Sequence, residues 1–154
     1  SDVYKRQNKA SAIIGFNPFG SLIWPKENSS GIEIPTLFIG GTYDLITPLI
    51  NEQFKVFSAL NNPLNKFLII NGASHFSPIR ITNSYQENND VFKIRKSFIG
   101  SNPIYVQELS SKFIIEFIKN IKDQKTLSII QNQKEMGLGF HVLDLRTIKE
   151  ISEN

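Results

Sequence analysis

Residues 34–76, IPTLFIGGTYDLITPLINEQFKVFSALNNPLNKFLIINGASHF, decide how this chain folds. Residues 36–39 and 66–70 are short apolar runs rich in β-formers, a pattern typical of strands buried on both faces. Glycine or asparagine follows each run and ends it. Between the two runs, apolar side chains recur at spacings of four and three, which indicates an amphipathic helix. The stretch therefore predicts a strand, a helix and a second strand.

The helix between these strands has a start signal and one apolar face. Thr47 followed by Pro48 is typical of an N-cap residue and a proline at the first helical position. Ile50, Phe54 and Phe57 then form a single apolar stripe. A strand, a crossover helix and a second strand make a βαβ unit, whose strands are parallel. The turns that follow the two strands are therefore expected at the same edge of the sheet.

One acid and one histidine lie in these two turns. Asp44 follows the first strand and His75 follows the second. Open α/β sheets bind ligands outside the carboxyl ends of their strands, and neighbouring strands lie about 5 Å apart, so the two side chains can touch. A carboxylate beside an imidazole fixes the tautomer of the ring and stabilises its protonated form, as in a nucleophilic triad.

The two turns resemble the acid and histidine turns of the α/β-hydrolases. Residues 41–48, GTYDLITP, are similar to that family's G-x-x-D-x-x-x-P turn, and residues 72–76, GASHF, look like its histidine turn. The family also has the order nucleophile, acid, histidine along the chain. The resemblance covers roughly residues 10–121 and is greatest to the branch of dienelactone hydrolases and platelet-activating-factor acetylhydrolases.

The resemblance implies a fold and an activity. The fold would be an α/β fold of parallel strands with flanking helices in three αβα layers, here the C-terminal part of an α/β-hydrolase without its N-terminal half. The activity would be cleavage of an ester or related acyl bond in a small-molecule or lipid-like substrate, without a cofactor. Asp44 would be the triad acid and His75 the base. A serine or cysteine nucleophile is expected upstream, because the chain contains no G-x-S-x-G.

A second interpretation of these residues needs no catalysis. An aspartate just before a helix commonly caps it, and a lone histidine in an apolar setting is commonly a hydrogen-bonded core residue. The chain would then be a non-catalytic α/β binding module in which Asp44 caps a helix and His75 is structural.

The segment before the first strand adds candidate pocket residues. Residues 10–16, ASAIIGF, predict a further strand that ends in a cluster of turn residues. Because that turn is expected at the same edge of the sheet, Asn17, Phe19 and Trp24 are candidates to line a substrate pocket. Alternatively, the two aromatic residues pack in the core or on the surface.

The second half of the chain predicts one clear helix. Residues 101–103, SNP, form a start signal, and apolar residues recur behind it in a stripe of Leu109, Phe113, Phe117 and Ile121, widened by Ile114 and Ile118. Residues 78–90 predict a loop and residues 91–99 a short helix. Two glycines interrupt residues 126–150, of which 140–145 are compatible with a strand or with the start of a final helix.

The composition fits a single globular domain and excludes several classes of site. The 154 residues are 40% hydrophobic and 20% charged. The formal net charge of +3 comes from scattered lysines and arginines, which argues against nucleic-acid binding. Without cysteine there is neither a disulfide nor a thiolate metal site, and no metal-ligand spacing is present. No apolar run approaches the about 20 residues of a membrane span.

The chain divides into three segments. Residues 1–7, SDVYKRQ, are interpreted as a non-native scar, residues 8–125 as the C-terminal portion of a hydrolase domain, and residues 126–154 as the tail of that domain. Any targeting signal is expected upstream, so the sequence does not give the compartment. It does not give the oligomeric state either.

Overall fold

The computed structural model describes residues 10–20, 31–78, 100–123, 134–135 and 137–152. Within them are five strands: β1 (Ile13–Phe16), β2 (Thr36–Gly41), β3 (Lys66–Ile70), β4 (Lys134–Glu135) and β5 (Leu138–Leu143). Helix α1 begins as a π-helical segment, Leu49–Phe54, and continues as an α-helix, Lys55–Phe57. Helices α2 (Pro103–Asp123) and α3 (Leu145–Ser152) follow. No helix in this described part is long and apolar enough to cross a bilayer.

The strands form a mixed sheet in the order β1-β2-β3-β5-β4. β1, β2 and β3 are parallel neighbours, as the βαβ pattern predicts. β5 is antiparallel to β3, and the two-residue β4 is antiparallel to β5. An α/β-type fold is compatible with this sheet. The expected parallel strands are confirmed for β1, β2 and β3, whereas the antiparallel β5 and β4 make the sheet mixed. The chain reverses between β4 and β5 at Gly137, whose φ of 77° favours glycine, and this turn makes β4 and β5 antiparallel to each other.

The sheet is covered on both faces because alternate side chains of its central strands point to opposite sides. On one face, Leu37, Ile39, Leu68 and Ile70 belong to the core cluster that includes Leu109 and Phe117 of α2. On the other face, Phe38 and Phe67 pack with Val56 and Phe57 of α1 and Ile148 of α3. The rings of Phe38, Phe57 and Phe67 lie with centroids 5.3–6.1 Å apart, so this second core is largely aromatic.

Helix α1 differs from its prediction. Ile50, expected on the buried stripe, is 70% exposed, whereas Gln53 is completely buried. The first turns of α1 are π-helical and therefore wider than an α-helix, which rotates the buried face away from Ile50. Thr47 is also not the N-cap. That position is occupied by Pro48 without a side-chain cap, and the Thr47 hydroxyl is hydrogen-bonded to Asp44 instead.

Helix α2 begins where the sequence predicts. Pro103 is its first residue, and the side chain of Asn102 caps it by accepting a hydrogen bond from the N–H of Ile104 at 3.0 Å. The apolar stripe is narrower than expected, since Ile118 is 39% exposed. The predicted loop 78–90, apart from Pro78, and the predicted helix 91–99 lie outside the described residues. In the tail both alternatives occur in succession, because β5 is followed directly by α3, and Gly139 lies within β5 instead of interrupting it.

Candidate functional site

The turns that leave β2 and β3 lie against each other at the carboxyl edge of the parallel strands. The N–H of Thr42 donates to the carbonyl oxygen of Ile70 at 3.1 Å, and that of Tyr43 to Ala73 at 2.9 Å. Gly41 makes this approach possible, because a Cβ there would overlap the carbonyl group of Ala73. Backbone hydrogen bonds thus hold the two turns together.

Asp44 and His75 meet at this edge, as the spacing of the two strands predicts. Nδ1 of His75 lies 3.0 Å from Oδ2 of Asp44, the side chain of Asp44 is completely buried, and that of His75 is 30% exposed. The other ring nitrogen, Nε2, makes no hydrogen bond to the described part of the chain. An ionised carboxylate can only accept, so this contact favours a proton on Nδ1 and leaves Nε2 free to accept one.

The second carboxylate oxygen of Asp44 has a structural role. Oδ1 accepts hydrogen bonds from the N–H groups of Ile46, at 3.0 Å, and Thr47, at 2.8 Å. This is an Asx turn, and it precedes α1, which begins at Leu49. Asp44 therefore does not cap α1, contrary to the second interpretation, because Pro48 is the N-cap and has no side-chain cap. Oδ1 of Asp44 holds the turn before the helix, and Oδ2 faces the histidine.

Two residues behind this pair were missed by sequence reasoning. The hydroxyl group of Thr47 donates to Oδ2 of Asp44 at 2.7 Å, and Oγ1 is 3.2 Å from Nδ1 of His75. Nε2 of Gln53 donates to the carbonyl oxygen of Thr47 at 2.7 Å, with a longer contact of 3.4 Å to Asp44. An α-helical pattern does not predict that Gln53 is buried. Gln53 becomes buried because the first part of α1 is π-helical, which shifts the buried face of the helix.

Asn17 connects the turn after β1 to the other two turns. Its φ of 43° is left-handed, a region that asparagine tolerates. Its side chain donates to the carbonyl oxygen of His75 at 3.1 Å, and its own carbonyl oxygen is 3.2 Å from the Thr47 hydroxyl. Asn17 was expected to line a substrate pocket. It is buried and instead connects the turns that hold the site.

Of the other two candidate pocket residues, Phe19 lies apart from the pair. Phe19 is largely exposed and helps to line an apolar cavity of about 130 Å³ between β1, β2 and α1, together with Ile32, Phe38 and Val56. Neither carboxylate nor imidazole of the candidate pair lines it. Trp24 lies outside the described residues.

The segment that carries Asp44 exposes several apolar side chains. Tyr43, Leu45, Ile46 and Ile50, here called the apolar rim, have relative exposures from 51% to 74%. Apart from the buried Asp44, residues 42–51 carry no charge. Large exposed apolar side chains grouped in one segment are typical of a binding surface.

A buried ion pair lies at the opposite edge of the sheet. Nζ of Lys66, the first residue of β3, is 3.7 Å from Oδ2 of Asp144, which follows β5. Burial lowers the pKa of Lys66, and the attraction of Asp144 does not cancel this effect. Burial alone would raise the pKa of Asp144, but the hydrogen bonds from Thr147 and the charge of Lys66 outweigh it and lower that pKa. This pair ties β3 to the start of α3 and is remote from His75.

No group of three or more histidine or acidic side chains in the described ranges is arranged to hold a metal ion. Comparison with protein-family models and with curated proteins gives no match to this chain.

Proposed function

We propose that this chain supplies the acid and the histidine of a serine-type α/β-hydrolase that cleaves an ester or a related acyl bond. The observation that carries the proposal is the 3.0 Å contact between Nδ1 of His75 and Oδ2 of the buried Asp44. It leaves Nε2 as the basic nitrogen on the more exposed side of the pair. The fold adds support, since three parallel neighbouring strands with the acid turn and then the histidine turn at one edge match the arrangement of the resembled family.

The proposed mechanism follows from which ring nitrogen is free. Nε2 of His75 takes the proton of the nucleophile's hydroxyl group as its oxygen attacks the substrate carbonyl. The imidazolium then gives this proton to the leaving alcohol, and an acyl-enzyme remains. Water loses a proton to Nε2 as it attacks the acyl group, and the proton returns to the nucleophile when the acid product leaves. Throughout, Asp44 orients the ring and stabilises its charged form.

The nucleophile of this scheme is expected upstream of the described residues. Ser74 and Ser77 are buried, their Oγ atoms are 3.3 Å apart, and the Ser74 N–H donates to Ser77 at 2.9 Å. These two serines stabilise the histidine turn. Ser11 precedes β1 and so lies at the opposite edge of the sheet. None of the three serines supports a role as the attacking group.

The apolar rim supports a substrate with an apolar portion. Uncharged side chains such as Leu45 and Ile46 beside the acid turn would bury an aliphatic or aromatic group and gain about 25 cal/mol for each Å² removed from water. A small-molecule ester with an apolar acyl or alcohol group, or a lipid-like ester, fits this surface better than a charged substrate.

Hydrolysis of 4-nitrophenyl esters tests the proposal. The 154-residue chain alone should give turnover close to the uncatalysed rate, because its sequence contains no G-x-S-x-G turn. The reading frame extended upstream should encode a G-x-S-x-G turn and hydrolyse the ester, and His75→Gln in that protein should lower kcat at least about a thousandfold. His141→Gln is the matched control and should have no effect. Robust turnover by the short chain, or an active His75→Gln variant, would refute the proposal.

The non-catalytic binding module remains a second candidate, supported by the structural hydrogen bonds around the pair. Oδ1 of Asp44 holds the Asx turn, and the carbonyl group of His75 is held by Asn17. In such a module the extended protein would carry no activated serine. A fluorophosphonate probe that labels no residue of the extended protein would favour this candidate over the hydrolase.

A further inference from the structure

We propose that Thr47 is a positioning residue for the Asp44–His75 pair, which it holds in the tautomer that leaves Nε2 free to accept a proton. The inference rests on the proposed function, since a general base at Nε2 is what makes this tautomer useful. Its physical basis is four contacts of one buried hydroxyl group: Asp44 Oδ2 at 2.7 Å, the Asn17 carbonyl oxygen at 3.2 Å, His75 Nδ1 at 3.2 Å and Gln53 Nε2 at 3.4 Å.

The single proton of the Thr47 hydroxyl has two oxygen acceptors within reach. The carboxylate oxygen of Asp44 is 0.5 Å closer than the carbonyl oxygen of Asn17, from the difference of 3.2 and 2.7 Å. It also carries the greater negative charge, and hydrogen bonds to ionised acceptors are the shorter and stronger ones. The hydroxyl proton is therefore directed at Asp44.

With its proton committed, the Thr47 oxygen presents only lone pairs to His75. Both groups that face Nδ1, the Asp44 carboxylate at 3.0 Å and this oxygen at 3.2 Å, are then acceptors. A neutral imidazole has one N–H and one bare nitrogen, and its hydrogen-bond partners select which is which. Two acceptors at Nδ1 place the proton there, and Nε2 is left bare.

The backbone of Thr47 is itself held in place. Its N–H donates to Oδ1 of Asp44 at 2.8 Å, and its carbonyl oxygen accepts from Nε2 of Gln53 at 2.7 Å. Both Thr47 and Gln53 are buried to within about 1% of their surface. The hydroxyl group therefore has little freedom to leave the pair, which is what a positioning role requires.

Nitrogen NMR of the ¹⁵N-histidine-labelled full chain tests this inference on the neutral form of the imidazoles. The chain has two histidines, and His141→Gln assigns the spectrum. The unmodified chain and Thr47→Ser should both show the proton of His75 on Nδ1. Thr47→Val, which keeps the shape but loses the hydroxyl, should lower the ratio of the Nδ1–H to the Nε2–H form about 3- to 10-fold. The His141 signals should not change.

A second measurement, the exchange of the Nδ1 proton with water, is needed if the tautomer ratio is too large to measure. Comparison at equal global stability separates a local effect at His75 from poor folding of a variant. Exchange of the Nδ1 proton with water should become about 3- to 10-fold faster in Thr47→Val than in Thr47→Ser, at equal global stability in urea. Thr47→Cys, which keeps a weak donor and acceptor, should lie between them. Identical ratios and exchange rates in the three variants would overturn the positioning role.

These outcomes separate the inference from the proposed function. If His75 of the unmodified chain carries its proton on Nε2, the base role of this nitrogen fails and the hydrolase proposal fails with it. If the proton is on Nδ1 but Thr47→Val leaves ratio and exchange unchanged, only the role of Thr47 fails, and Asp44 alone positions the ring.

Discussion

Replacement of Asp44 by asparagine and by alanine should separate the structural role of this residue from its role toward the histidine. Asparagine keeps an oxygen that can accept hydrogen bonds from the N–H groups of Ile46 and Thr47. In the unmodified chain these N–H groups lie 3.0 and 2.8 Å from Oδ1 of Asp44. It puts an amide NH₂ where Oδ2 faces His75. The Thr47 hydroxyl can turn to the carbonyl oxygen of Asn17, 3.2 Å away, and the ring can move its proton to Nε2. Alanine offers none of these compensations.

The expected magnitudes follow from which donors lose their acceptor. In Asp44→Ala the N–H of Thr47, a residue with 1% exposure, has no partner, and a buried orphan donor costs about 1–3 kcal/mol. Ile46 is 51% exposed, so the loss of the partner of its N–H costs less. With the loss of the charge-assisted contact to His75, we expect alanine to lower the free energy of unfolding by about 3 kcal/mol. Asparagine should lower it by about 1 kcal/mol.

Urea unfolding of the three chains, followed by circular dichroism, measures the difference, and the midpoint shift is interpretable if the slope m is constant. The ¹⁵N signals of His75 supply the second half of the test. Asp44→Asn should move the ring proton from Nδ1 to Nε2 while the fold persists. Equal destabilisation by the two substitutions would refute the role assigned to Oδ1. A ring proton that stays on Nδ1 in the asparagine variant would refute the role assigned to Oδ2.

Four further changes test packing and charge elsewhere. Gly41→Ala should lower the free energy of unfolding by about 2 kcal/mol or more, because the methyl group meets the backbone of Ala73; wild-type unfolding in urea would contradict that close approach. The lowered pKa of Asp144 stabilises the fold fully above about pH 3.9, and this stabilisation is lost as the pH falls through the pKa of the folded state. Asp144→Asn should therefore weaken the decrease of the free energy of unfolding at acid pH. An unchanged decrease would count against this role of Asp144. Because the pKa of Lys66 is lowered, the free energy of unfolding should rise with pH between the pKa of Lys66 in the folded state and about 10.4. Lys66→Met should abolish that rise. If the rise persists in this variant, other groups cause it. Ile50→Ser should change the free energy of unfolding by less than about 0.5 kcal/mol, and a larger loss would mean that this exposed side chain packs against the fold.

The buried strands and the long helix were predictable because their patterns are purely local. Residues 66–70 were predicted as a strand and form β3 with the same bounds, since an uninterrupted apolar run between turn residues has few other solutions. The start of α2 at Pro103 follows from the cap and proline that precede its apolar stripe. β1 is shorter than the predicted 10–16, because only Ile13–Phe16 pair with β2.

The position of β5 and the burial of Gln53 were not predictable in the same way. The sequence left a strand and a helix open for residues 140–145, and a strand pattern does not specify which strand it pairs with, so the antiparallel pairing with β3 was not predictable. Gln53 is buried because a π-helical turn shifts the helix face, and its amide is needed by the carbonyl group of Thr47. Both are decided by tertiary contacts, which a pattern within one segment does not contain.

The spacing of the turn after β2 can instead be explained from contacts alone. Gly41 is small because the backbone of Ala73 lies against it. Asp44 stands three residues before Thr47, the distance at which one oxygen reaches the N–H of Thr47 while the other reaches its hydroxyl group and the histidine. Pro48, at the N-cap of α1, has no N–H that would need a partner. Glycine, acid, threonine and proline at these intervals are therefore the residues that a buried carboxylate needs to serve a turn and an imidazole together, and changing any one of the intervals should uncouple the two tasks.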